Sequence, residues 1–270
     1  MKKIFIALLA VFVVGCAPTA PTYSNLVDPE SQDYVAHLMT EAGISATSIK
    51  QFLTDVNRYN TTVNNESLIA KGFVEQLPIY DDVALIEKWE HAYPAYIGNN
   101  CRITSFGLLE EMIEITGTTA QTANLFMDRD AIRNAPYAWL GEDQVRFATL
   151  YGFVPTPPTK NIDVHLENMQ RAWQQRGIHF KENMQASLIS VVFHSTLDDN
   201  LFIGHAGVLL PDSSHYVFIE KLSFEEPYQA IRFANKQQLN DYLMAKYDVA
   251  YHQPEAAPFI MENDHLLEAF

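Results

Sequence analysis

Residues 201–222 read LFIGHAGVLLPDSSHYVFIEKL, and this stretch decides the fold. Two runs rich in β-branched and aromatic residues flank the turn formers PDSS at 211–214, so the pattern predicts two antiparallel strands joined by a hairpin. A further apolar run at 186–194 predicts a third strand before them. Three consecutive antiparallel strands would form a meander, the centre of a small antiparallel sheet.

The hairpin also brings a histidine close to a carboxylate. A two-residue or four-residue turn pairs Leu210 with His215, and this register places His205 directly opposite Glu220. The Cβ atoms of paired residues lie about 5 Å apart on one face of a sheet, so we expect Glu220 to orient the imidazole. A slip of one residue would replace Glu220 by a neighbour. A hydrogen-bonded core histidine and an edge carboxylate remain the alternative.

Upstream of the strands the pattern is helical. Ser45 is a typical N-cap for a helix with apolar residues at helical spacing, and residues 81–93 predict another helix, closed by Pro94. Residues 162–176 and 236–247 predict two more helices. We therefore expect an α+β domain in which a helical N-terminal half packs on a small antiparallel sheet.

A further helical pattern begins beside Cys101. Residues 98–100 (GNN) supply a turn and an N-cap, and apolar residues at 103, 106, 109, 112 and 113 follow at helical spacing. The N–H groups and the dipole of a helix N-terminus stabilise a thiolate and lower its pKa. Cys101 is therefore a candidate nucleophile, with His205 as its base. A small, buried and inert cysteine is the alternative.

Composition excludes several classes of function. The chain of 270 residues carries 18 Lys and Arg against 33 Asp and Glu, a net charge of −15, which phosphate backbones would repel. We therefore expect no binding to nucleic acid. Two cysteines are too few for a disulfide scaffold or a multi-cysteine zinc module. The sequence contains no Gly-rich phosphate loop and no HExxH motif, so neither a cofactor nor a metal is predicted.

The first 15 residues have the pattern of a signal peptide. Two lysines precede an apolar stretch at 4–14 that is too short to span a bilayer permanently. The stretch ends in VVGC at 13–16, which resembles the lipobox of bacterial lipoproteins and implies that Cys16 carries lipid after cleavage. We expect a lipidated tether at 16–23 and a domain at 24–270, held on a cell-envelope membrane (the outer membrane where the host has one). An ordinary secretory signal is the alternative.

The order of the candidate residues resembles that of papain-like cysteine hydrolases. A cysteine at a helix N-terminus precedes a histidine on a strand and a polar residue on the next strand, and GHAGVL at 204–209 looks most like the histidine strand of bacterial NlpC-type cell-wall amidases. This resemblance covers residues 99–233. It implies a papain-like layout with Cys101 as nucleophile, His205 as general base and acid, and Glu220 as the orienting residue.

One element of the papain site differs. Papain has a glutamine six residues before its cysteine as an oxyanion donor, and this chain has Ala95 there. Asn99 or Asn100, with the backbone N–H of Cys101, would take its place. The whole chain also resembles an uncharacterised family of bacterial lipoproteins, through YSNL at 23–26, NCRI at 100–103 and IEKLS at 219–223.

These features predict a thiol-dependent hydrolase that cleaves an amide or peptide bond in the cell envelope. Peptidoglycan or an envelope peptide is the expected partner, because the lipid anchor would hold the domain beside it. The competing hypothesis is a non-catalytic binding or structural lipoprotein that retains the fold and buries Cys101. The contact between Cys101 and His205, together with the exposure of the thiol, separates the two.

Overall fold

The structure, a computed structural model, describes residues 20–137, 141–249 and 252–268. The predicted signal peptide, Cys16 and the first half of the predicted tether lie outside these residues. Within them, a large antiparallel sheet carries helices on both faces.

Eight α-helices are present in the described part of the chain. Several begin where a side chain accepts a backbone N–H of the first turn, as Ser45 and Asn235 do. The helices are α1 (Pro29–Glu41), α2 (Ala46–Thr62), α3 (Asp82–Ala92), α4 (Cys101–Leu109), α5 (Phe126–Asn134), α6 (Gly141–Tyr151), α7 (Ile162–Gln175) and α8 (Lys236–Tyr247). A short 3-10 helix (Ala123–Leu125) precedes α5.

Ten strands form two sheets across the described ranges. They are β1 (Thr22–Ser24), β2 (Ile113–Ile115), β3 (Val154–Pro155), β4 (Ile178–Phe180), β5 (Ser187–Ser195), β6 (Asn200–Asp212), β7 (His215–Lys221), β8 (Tyr228–Phe233), β9 (Phe259–Glu262) and β10 (His265–Leu266). The large sheet has eight strands in the order β1-β8-β7-β6-β5-β9-β10, with β3 paired to β6. Strands β2 and β4 pair separately.

The two faces of the large sheet bury different cores. Ala206, Val208 and Leu210 of β6 belong to the larger core, which includes the apolar residues of α1, α2 and α4. Leu209 and, on β7, Phe218 belong to the second core, which α8 covers. Because side chains alternate along a strand, His205 and Glu220 point to the α8 face, whereas α4 packs on the opposite face.

Strands β5, β6 and β7 confirm the predicted meander, but the small sheet expected around it is wrong, since the sheet has eight strands. Chain segments near both termini extend its edges, and Thr22 and Tyr23, expected in the tether, lie in β1. The N-terminal half contains strand β2 as well as helices. The helical pattern extends to residue 113, but α4 ends at Leu109, and Ile113 begins β2 instead. Strands of two to four residues are too short to show a readable alternation.

The predicted pairing of Leu210 with His215 is also wrong. Asp212 pairs with His215, so the turn consists of residues 213 and 214, and Glu220 pairs with Gly207 rather than with His205. The register therefore differs from the expected one by two residues. Since the side-chain period of a strand is two, this shift leaves both side chains on the same face, in diagonal contact.

Candidate active site

Helix α4 places Cys101 at its first position. Asn100 is the N-cap, and its Oδ1 accepts the backbone N–H of Ile103 at 2.9 Å. The thiol of Cys101 lies beside the side chain of His205 and the backbone of Ala206, and both groups lower its pKa. Strand β7 ends at Lys221, whereas its neighbour β6 continues beyond that point. The Cys101 sulfur lies beside β6 close to the place where β7 ends. A helix on one face of the sheet thereby reaches a histidine that points to the other face.

Glu220 holds the imidazole from the side of β7. His205 Nε2 donates to Glu220 Oε2 at 2.6 Å. The second carboxylate oxygen, Oε1, accepts the Tyr242 hydroxyl at 2.5 Å and Gln229 Nε2 at 3.2 Å. These donors fix the carboxylate between β7, β8 and α8. The structure therefore brings the three residues Cys101, His205 and Glu220 together, with His205 between the thiol and the carboxylate.

The electrostatics of this cluster favour the charged form of each of the three residues. Burial raises the pKa of the Cys101 thiol, but the charge and hydrogen bond of His205 outweigh burial and hold that pKa below its ordinary value. Burial lowers the pKa of His205, but Cys101 and then Glu220 raise it to about 9. Burial raises the pKa of Glu220, and the hydrogen bond and charge of His205 lower it overall. The three groups thus stabilise one another's charged forms, the thiolate, the imidazolium and the carboxylate.

The site is covered. Cys101 is 5% exposed, His205 2% and Glu220 0%. The half-buried ring of Tyr247, at the end of α8, stacks on the imidazole with ring centroids 5.0 Å apart and planes inclined by 28°. Gly204, the neighbour of His205 on β6, is exposed.

A buried carboxylate that the sequence did not predict binds the residues on both sides of Cys101. Asp128 of α5 accepts Asn100 Nδ2 at 2.7 Å, Arg102 Nε at 2.9 Å and Arg102 Nη2 at 2.6 Å. Arg102 Nη1 also donates to the carbonyl of Ile203 at 2.9 Å, which ties α4 to the histidine strand. In the sequence, Asp128 resembles the other acidic residues of a surface helix, and no local signal distinguishes it.

The predicted oxyanion donors have other partners. Asn100 Nδ2 donates to Asp128, and Asn99 Nδ2 donates to the Tyr137 hydroxyl at 2.8 Å. Both amides therefore stabilise the turn before α4. Of the donors that the sequence suggested, the backbone N–H of Cys101 remains, because the first N–H groups of a helix have no partner within it.

The fold and this site define a mixed α/β protein with a buried Cys-His-Glu cluster. Residues 22–267 match the model of a domain of unknown function, DUF4300, and the chain belongs to that family. No curated protein and no solved structure matches the chain. Across the residues that the structure describes, no helix is long and apolar enough to cross a bilayer, and no group of three or more metal-type ligands is found.

Proposed function

We propose that the protein is a thiol-dependent hydrolase of an amide or peptide bond. Cys101 is the nucleophile, His205 the general base and acid, and Glu220 the orienting residue. The proximity of thiol and imidazole, together with the hydrogen bond from imidazole to carboxylate, supports this proposal. Burying three ionised groups is costly, and a lowered thiol pKa is what a cysteine nucleophile needs near neutral pH.

The reaction follows from the protonation states of the site. The Cys101 thiolate attacks the carbonyl carbon, a C–S bond forms, and the carbonyl electron pair moves onto oxygen, where the backbone N–H of Cys101 stabilises the charge. As the C–N bond breaks, the His205 imidazolium gives its proton to the leaving amine, and a thioester remains. Water then attacks the thioester while His205 takes its proton. The acid leaves, and thiolate and imidazolium are restored.

A papain-like layout belongs to the same proposal. The nucleophile at the start of α4, the histidine on β6 and the carboxylate on β7 support it by their order along the chain. Two features differ from the expected pattern. The amides of Asn99 and Asn100 are already engaged, and the cysteine helix packs on the face opposite to the one that the histidine points to.

The place of action is inferred from the N-terminal sequence. VVGC at 13–16 supports lipidation of Cys16 and an anchor on a membrane of the cell envelope, the outer membrane where the host has one. Two acyl chains would hold the domain in water at the membrane surface. Peptidoglycan stem peptides or an envelope peptide would then be within reach as substrates.

The burial of the thiol favours the alternative, a non-catalytic binding or structural lipoprotein. Hydrolysis of muropeptides and of generic amide substrates by the full-length chain separates the two functions. Cys101→Ala should abolish turnover and His205→Ala should nearly do so. His194→Ala is the matched control, since His194 is an equally buried histidine on β5 that contacts His165 instead. Cleavage that survives Cys101→Ala, or no thiol-dependent cleavage of any substrate, would contradict the proposal.

A further inference from the structure

Lys221 is a buried cation that the reaction above does not use. It follows Glu220 on β7, so its side chain points to the opposite face of the sheet, the face on which α4 packs. The residue is 1% exposed. Its Nζ donates to the backbone carbonyls of Ser223 at 2.8 Å and Phe224 at 3.0 Å, and also to that of Glu226. One amine thereby fixes the loop between β7 and β8, residues 222–227.

Two tyrosines complete the surroundings of this amine. Nζ lies 4.4 Å from the centroid of the Tyr59 ring and 5.1 Å from that of Tyr228. Such positions over aromatic faces stabilise a cation. The Tyr59 hydroxyl also donates to the carbonyl of Glu225. The backbone carbonyls of residues 223–226 therefore all accept a hydrogen bond from Lys221 or Tyr59.

The 222–227 loop in turn contacts the segment that leads into α4. The Phe224 carbonyl lies against the α-carbon of Gly98, where a Cβ would come within 2.5 Å of the oxygen. Gly98 has φ +99°, a conformation that favours glycine. It lies two residues before the N-cap Asn100 and three before Cys101. A movement of the loop therefore displaces the turn that begins the nucleophile helix.

We infer that Lys221 is a positioning residue for Cys101, acting through the 222–227 loop and the turn at Gly98. The inference rests on the proposed function. It assigns complementary roles to two adjacent residues of β7. Glu220 holds His205 on one face of the sheet, and Lys221 holds the turn before Cys101 on the other.

The cost of keeping this charge buried supports the inference. Burial lowers the pKa of Lys221 to about 7, although the carboxylates of Glu226 and Glu225 and the sulfur of Cys101 raise it in part. An apolar side chain of similar length in a buried position is often as stable as the charge that it replaces. We therefore expect Lys221→Met to fold, and to release the three carbonyls that the amine holds.

The test measures the pKa of Cys101 in the full-length chain carrying Cys16→Ser, so that Cys101 is the remaining thiol. Ultraviolet thiolate absorbance is titrated against pH and corrected with the same chain carrying Cys101→Ala. Lys221→Met should raise the thiol pKa by about one unit, which makes alkylation by iodoacetamide about tenfold slower at a pH below that pKa. Lys236→Met is the control, because Lys236 likewise lies over a tyrosine ring while its amine pairs with the Glu262 carboxylate away from Cys101, and it should leave the thiol unchanged.

A lower melting temperature with an unchanged thiol pKa in Lys221→Met would show a merely structural role and overturn the inference. Tyr59→Phe is measured in either case, since it keeps the Lys221 charge and the ring and removes only the hydroxyl on the Glu225 carbonyl. It should raise the thiol pKa by a smaller amount, and no change would overturn the inference. An ordinary thiol pKa in the parent chain, which carries only Cys16→Ser, would refute the proposed function as well. A low value there that Lys221→Met leaves unchanged refutes the positioning role alone.

Discussion

Cys101→Ala reveals whether the folded protein carries a thiolate, without any substrate. Despite burial, His205 holds the pKa of the folded thiol below its ordinary value, whereas a thiol in the unfolded chain titrates at about 8.5. Between these two values the folded state holds a thiolate and the unfolded state a thiol, so unfolding takes up one proton. The stability that the thiol contributes therefore rises by about 1.4 kcal/mol per pH unit in this window, and it is lost as pH falls through the folded pKa.

The imidazole limits the pH range of this measurement. Cys101 is the larger of the two partners that raise the pKa of His205 to about 9, so the substitution lowers that value. Glu220 remains, and its hydrogen bond and charge still raise the pKa of the imidazole against the effect of burial. The imidazole titration is therefore followed by NMR in both folded proteins, and the comparison uses the pH values at which His205 is protonated in both. The difference between them then reports the sulfur alone.

Urea unfolding of the full-length chain and of its Cys101→Ala variant, repeated at each pH, gives this difference directly. The lost side-chain volume adds an offset of about 1 kcal/mol that does not depend on pH. The slope, rather than the offset, is therefore the readout. A difference that stays constant over these pH values, below the unfolded thiol pKa of about 8.5, means that the thiol is protonated in both states. That result would refute the thiolate–imidazolium pair and, with it, the proposed nucleophile.

Glu220→Gln keeps an oxygen that can accept the His205 N–H but removes the negative charge that helps to raise the pKa of His205, so the imidazole resonances should titrate below the parent value of about 9 in an NMR pH series; an unchanged midpoint would exclude Glu220 as the orienting residue. Asp128→Asn leaves a buried guanidinium without its charge partner and should lower the free energy of unfolding by about 3 kcal/mol in urea melts, whereas Asp130→Asn, in an exposed ion pair, should cost well under about 1 kcal/mol; equal losses would contradict this role of Asp128. Cys16→Ala should leave an unprocessed precursor and abolish incorporation of labelled palmitate; mature protein of normal size would indicate an ordinary signal peptidase instead.

The local patterns predicted much of the fold. Ser45 caps α2, Cys101 begins α4, and α8 spans residues 236–247 as its apolar spacing indicated. These features depend on neighbours three or four residues apart, which a sequence shows directly. The contact between His205 and Glu220 was predicted with the wrong register, and it is present because strand parity survives a shift of two residues.

The parts of the site that the sequence did not predict depend on distant contacts. Asp128 and Lys221 look like surface charges until the fold buries them, and their partners belong to other elements. The amide of Asn100 looked available to a substrate because Asp128, its acceptor, lies 28 residues further along the chain. Hydrogen bonds between such distant residues form only when the helices pack against one another, so no local sequence pattern predicts them.

The alternation of side chains along β7 explains how one site can use residues from both faces of the sheet. Glu220 and Lys221 are adjacent, so their side chains necessarily point to opposite faces. A shift of β7 by one residue would present the amine to His205, and it would present the carboxylate to the carbonyls of the 222–227 loop. The Lys221 amine would then face the imidazolium of His205, and the Glu220 carboxylate would face carbonyl oxygens. Both contacts are repulsive, and both are buried, where an unpaired charge is most costly. The register of this strand is therefore set by the two polar residues as well as by the apolar ones, and the same register holds His205 beside Cys101.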